Sequence, residues 1–118
     1  MHNYSDSISI LLEKFPALKP IYEEGIYDYE DLPYVFYESV FVRYITDKAK
    51  SFDEVELSNI FNFVEELLVE GDEELKNLIG VAVIESLYHE KHFCELNMLL
   101  SKFYGDLTKM SFDDCLTG

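Results

Sequence analysis

The stretch YVFYESVFVRYI, Tyr34 to Ile45, decides between two folds. It is rich in β-branched and aromatic residues, the side chains that favour strands. A strand with one wet face alternates apolar and polar residues, because successive side chains point to opposite faces. This run does not alternate. Tyr37, Val40, Phe41, Tyr44 and Ile45 recur at three- and four-residue steps, which places them on one stripe of a helix. The run therefore predicts a helix from Pro33 to about Lys50. Pro33 suits its first turn, where a missing N–H loses no bond.

Downstream, Asp53 to Glu70 shows the helical period more clearly. Leu57, Ile60, Phe61, Val64, Leu67 and Leu68 form an apolar face, with Glu65, Glu66 and Glu70 outside it. Ser51 with Glu54, or Asp53 with Glu56, offers a capping box. Gly71 stops this helix and Asp72 caps the next, and so short a link predicts an antiparallel hairpin. In the following helix, Glu73 to Tyr88, the run LIGVAVI (Leu78 to Ile84) is apolar nearly all round, which marks the most buried helix. Gly80 inside it costs about 1 kcal/mol relative to Ala. That cost predicts close approach of a neighbouring helix. A further helix runs from Phe93 to Tyr104 on Phe93, Leu96, Leu99, Leu100 and Phe103, and Gly105 ends it. Residues 105–118 read as a short polar tail, partly ordered and anchored by Leu107, Met110 and Phe112.

Upstream, Asp6 to Phe15 predicts a helix capped by Ser5 or Ser7, with Ile8, Leu11, Leu12 and Phe15 on one stripe. Pro16 turns the chain, because it drives Phe15 out of the α region. Ala17 to Glu24 predicts a short helix with Leu18, Ile21 and Tyr22 inward, closed by a left-handed Gly25. Ile26 to Leu32 reads as a loop. The sum is an all-α, single-domain bundle of five to six helices over residues 1–118. Stacked antiparallel hairpins of the HEAT kind are one arrangement, although no repeat period is visible.

A chain of 118 residues buries roughly two-thirds of its unfolded surface, enough for one core without staples. Its 9 Phe and 9 Tyr supply much of the buried area. Twenty-four Asp and Glu against nine Lys and Arg give a formal net charge of -15. Such a surface repels nucleic acid and anionic lipid, favours a cationic partner, and also keeps a protein in solution. Two cysteines, Cys94 and Cys115, read as reduced thiols. No segment has the form of a signal peptide or a membrane span, so the expected location is the cytoplasm.

No catalytic motif emerges, and the chain reads as a non-enzyme without metal or cofactor. His89, Glu90, His92, Cys94 and Glu95 resemble metal ligands, but a helical zinc pair needs histidines four apart, and here they are three apart. His2 sits in a terminus expected to fray. The informative stretch is YEEGIYDYEDLPYVFYE, Tyr22 to Glu38, which contains no Lys, Arg or His. Glu23, Glu24, Asp28, Glu30, Asp31 and Glu38 can pair with cations on a partner. Tyr27, Tyr29 and Tyr34 add the amphipathic area that suits interface hot spots. The competing reading is that these tyrosines are half-buried and the acids merely solvated.

The chain resembles a family of short, acidic, helical bacterial proteins of uncharacterised function. The resemblance rests on LLEKFPALKPIYEE, DLPYVFYESV and FNFVEELLVEGDEELKNLIGVAVIESL, and is densest at Gly71-Asp72, Asn77-Leu78 and Glu85. It implies structural roles: Gly71 and Asp72 for the helix turn, Asn77 for a bond to a neighbouring loop backbone. In size and charge the chain also resembles immunity proteins of contact-dependent growth inhibition. That likeness implies a protein that neutralises one cognate basic toxin, commonly a nuclease domain, by occluding its active site. The alternative is a structural or regulatory interaction module that self-associates through Tyr34 to Ile45.

Overall fold

The computed structural model describes residues 2–24 and 29–117. Its helices are α1 (Ser7–Lys14), α2 (Lys19–Glu24), α3 (residues 33–50), α4 (Glu54–Glu70), α5 (residues 73–88), α6 (Phe93–Leu100) and α7 (Asp106–Thr117). No strand occurs among the described residues. The stretch that decides the fold is helical throughout α3. Tyr37, Val40, Phe41 and Ile45 are buried and Tyr44 is half-buried, so the stripe read from spacing is the core face. Pro33 occupies the first turn.

The core gathers around α4 and α5. Leu57, Ile60, Phe61, Val64, Leu67 and Leu68 are buried, and so is Phe63, which joins Phe15 and Phe41 in an aromatic cluster. α5 folds back on α4, touching it with both its first turns and its middle. Asp72 makes this turn: its Oδ1 accepts from the Leu75 amide at 2.8 Å and its Oδ2 from the Tyr4 amide at 3.1 Å. At Gly71 a β-carbon would run into the Leu67 carbonyl, so only glycine fits. The terminus around His2 is pinned here instead of fraying. Its amide donates to the Glu70 carbonyl at 3.0 Å, and its carbonyl accepts from the Asp72 amide at 2.9 Å.

Two segments are wound as wider π-helix: Tyr37–Phe41 in α3 and Ile79–Glu85 in α5. They pack against each other, and α7 packs on the same part of α5. Such turns are rare and recur at functional sites, and both lie beside hollows in the protein surface.

Several expectations are corrected. Ser7 is the first residue of α1 rather than its cap, and neither Ser5 nor Ser7 caps it; the buried Ser7 hydroxyl has no hydrogen-bond partner among the described residues. Ile21 points outward, because a 3₁₀ turn at Pro16–Leu18 rotates the start of α2, leaving Leu18 alone buried in this region. Asp53 caps α4 by accepting from the Glu56 amide, but Glu56 does not reciprocate: it bonds Tyr44 and Asn59. Asn77 donates to the Tyr34 hydroxyl at 2.7 Å, not to a loop backbone. Gly80 is approached by nothing; a β-carbon there would meet open space. The polar end of the chain forms α7, which buries Phe112 and Thr108 and leaves Met110 exposed.

α3 ends in an unusual way. The Asp53 amide donates to the Lys48 carbonyl and the Phe52 amide to that of Ala49, the Schellman pattern that puts one left-handed residue after a helix. That residue is Phe52, with φ 54 and 66% of its surface exposed. A β-carbon in this conformation costs about 1–2 kcal/mol, and glycine avoids it. Phe52→Gly should therefore stabilise the fold by about 1 kcal/mol. The expected readout is a raised urea midpoint at unchanged slope.

Candidate partner interface

The residues picked from the sequence as partner-binding fall into two groups. Glu23 and Glu24 at the end of α2, Asp31, and Glu38 in α3 are exposed and make no ion pair among the described residues. The tyrosines are partly used by the fold. Tyr22 and Tyr29 stack at 6.4 Å, and both set their edges against buried Phe36, at 5.6 and 4.9 Å. Tyr34 is half-buried between Asn77 and the Tyr4 ring. Tyr27, Asp28 and Gly25, and the side chain of Glu30, lie outside the described residues.

A second surface combines three helices. On the outer face of α5, Val81 and Glu85, continued by His89 just past its end, form a ridge at four-residue steps. One hollow, about 600 Å³, lies between this ridge and Ser111, Asp114 and Cys115 of α7. The other, about 450 Å³, lies between it and Glu38 and Val42 of α3, with Glu90 at its end. Carboxylates line both hollows, and no Lys or Arg does. The field shows in Cys115, whose thiol is pushed up by burial and then by Glu85 and Asp114. The opposite face of α5 is core: Leu78, Ile79, Ala82 and Val83 are buried. Sequence reading missed this surface because its acids come from distant segments. The visible trace was the Val81, Glu85, His89 spacing next to Gly80, which the sequence reads as close helix approach.

Other polar clusters are structural. Glu65, placed outside the apolar face by its sequence position, reaches the start of α7. It accepts from the amides of Leu107 (3.0 Å) and Thr108 (2.9 Å) and from the Thr108 hydroxyl (2.9 Å). Burial alone would raise its pKa, but these three bonds outweigh burial and hold it below the usual carboxylate range. His2, Glu66 and Glu70 are the one group of three ligand types that converges among the described residues. Their contact, Nε2 of His2 to Glu66 at 2.7 Å, fastens the terminus to α4. His89, Glu90, His92, Cys94 and Glu95 are all exposed and do not converge.

Fold and surface together define a small all-α protein with a strongly acidic exterior. The chain belongs to the DUF7674 family, a domain of unknown function, whose model matches residues 8–114. The match covers the stretches that carried the resemblance to an uncharacterised family. No curated protein and no solved structure matches the chain. No helix among the described residues is long and apolar enough to cross a membrane.

Proposed function

We propose that this protein is an immunity-type inhibitor that binds a cognate basic protein toxin and neutralises it by covering the active site, without turnover. The observation that carries the reading is how little of the acidic charge is neutralised internally. Among the described residues, Lys pairs with carboxylate only at Lys48–Asp53, Lys76–Glu73 and Lys102–Glu54. Glu23, Glu24, Asp31 and Glu38 face solvent, beside tyrosines already ordered against Phe36. Carboxylates on a rigid scaffold steer a cationic partner and pair with it at little ordering cost.

The test is a pull-down from the native host with mass spectrometry of what is retained. One basic toxin-like protein should be recovered, and its association rate should fall as salt rises. Loss of recovery when Asp28, Glu30 and Asp31 are changed to Lys would support a site on that stretch, and recovery despite the change would keep the function and move the site. Recovery of nothing but the bait would defeat this reading.

Self-association is the second reading. Half of Tyr34 to Ile45 is buried in the core, which leaves that run little apolar surface for a partner copy. Exposed Phe52, Val55 and Met98 are what favour it. Sedimentation decides: a monomer at micromolar concentration removes it.

A further inference from the structure

The two hollows beside the α5 ridge combine three properties. They are concave, they share the apolar edge of Val81, and they stand on a helix whose other face is core. Val81 on the ridge keeps 43% of its surface exposed. Gly80 leaves the helix backbone uncovered, because nothing lies within 4 Å of where its β-carbon would be. Val42 and Ile84 lie beneath the hollows as buried core residues, so Val81 is the exposed apolar side chain of the ridge. Around these sit Glu38, Glu85, Glu90 and Asp114. Glu38, Glu85 and Glu90 are exposed and make no ion pair among the described residues.

The arrangement selects among cations. A divalent metal needs several ligand oxygens converging on one point. These carboxylates do not converge: the one such group among the described residues is the His2 cluster elsewhere on the molecule. Spaced carboxylates with apolar surface between them fit separate cationic heads on methylene stems. Arginine and lysine side chains have that form, with charged tips and apolar shafts.

We propose that the ridge Val81–Glu85–His89 and its flanking hollows are the docking surface for an arginine- or lysine-bearing segment of the partner protein. The cationic heads pair with Glu38, Glu85, Glu90 and Asp114. The stems and any apolar neighbours lie on Val81 and the bare backbone at Gly80. This inference rests on the reading of the chain as a binder of a basic protein, and it moves the centre of the interface from α2 to α5. Because the floor is fixed by the core behind it, the surface is formed before the partner arrives.

The experiment is an NMR titration of the isotopically labelled full chain with a short blocked peptide alternating arginine and leucine. Amide shifts should concentrate at Gly80, Val81, Glu85 and Ser111. The same peptide with glutamine for arginine should give none. The double variant Glu38→Lys, Glu85→Lys should weaken binding about tenfold or more, as two exposed pairs turn repulsive. Gly80→Leu should weaken it similarly by filling the hollow. Both changes are at surface positions with room, and a preserved spectrum elsewhere confirms the fold. Shifts confined to residues 22–31 would overturn the docking proposal while leaving the inhibitor reading in place. A spectrum silent everywhere would overturn the docking proposal, while the pull-down tests the inhibitor reading separately. Spermine binding the same residues as tightly as the peptide would also overturn the docking proposal, because the apolar lining would then contribute nothing.

Discussion

Replacing Glu65 with alanine should lower the unfolding free energy by about 2–3 kcal/mol. The first amides of any helix have no partner inside that helix and must find one outside it. In α7 two of them, from Leu107 and Thr108, donate to Glu65, which comes from α4. Its charge also sits at the positive end of the α7 dipole. The Thr108 side chain is fully buried and spends its hydroxyl on the same carboxylate. Alanine would remove charge-assisted bonds and leave buried donors unsatisfied, the costlier half of the change. Glutamine should recover little, since one of its two ends would face an amide donor with another donor. Gly105 gives an independent check. A β-carbon there would collide with the Glu65 carboxylate, so Gly105→Ala acts by displacing Glu65. In a double-mutant cycle the two changes should couple by about 1 kcal/mol or more, because each removes the same bonds. Additivity within about 0.5 kcal/mol would mean that Glu65 does not hold α7.

The same bonds set a pH dependence. The folded-state pKa of Glu65 is depressed. Its contribution is therefore complete above the unfolded glutamate value of roughly 4.3, and is lost as pH falls through the lower folded value. Acidification also relieves the repulsion among carboxylates in a chain of net charge -15. The two effects oppose each other, so wild-type stability alone is a poor readout. The difference between wild type and Glu65→Ala isolates the Glu65 contribution, and it should shrink towards zero in acid. A difference that stays constant through that range would assign the cost to packing instead.

These two residues also show where sequence reading stops. Tyr37, Val40, Phe41 and Ile45 were legible as core because burial imposes a helical period that local spacing displays. Gly71 and Asp72 were legible because turn and cap lie within a few residues of each other. Glu65 caps a helix whose first turn lies 42 residues further on, and no window links the two. Without that partner, the end of the chain reads as a polar tail. Its buried face contains Thr108 as well as Phe112, and an isolated threonine carries no apolar signal. The proposed docking surface was only partly legible for a related reason. Charge and composition pointed to acids, and Glu38 was among those chosen, but Glu85 and Asp114 meet it only through the packing of α3, α5 and α7.

Phe41→Ala should have the largest effect on stability, about 3–5 kcal/mol. Phe41 is fully buried, and its ring centroid lies 5.6 Å from that of Phe15, 5.7 Å from Tyr37 and 5.9 Å from Phe63. It thus ties α3 to the end of α1 and to α4. Truncation leaves a cavity between helices that are each fixed by other contacts, so little collapse can repair it. It also removes three aromatic pairs, each contributing about 0.5–1.5 kcal/mol beyond area. A domain of ordinary stability has about 5–15 kcal/mol in total. The variant should therefore melt on the order of 10–20 °C lower. Phe41→Leu keeps much of the volume and should cost far less. Val35→Ala, on the exposed side of the same helix, should stay within about 0.5 kcal/mol. The contrast between Phe41 and Val35 tests the assignment of the stretch itself, because a strand would put both side chains, six residues apart, on one face. Equal costs at the two positions would reject the helix, and with it the placement of Glu38 beside Glu85.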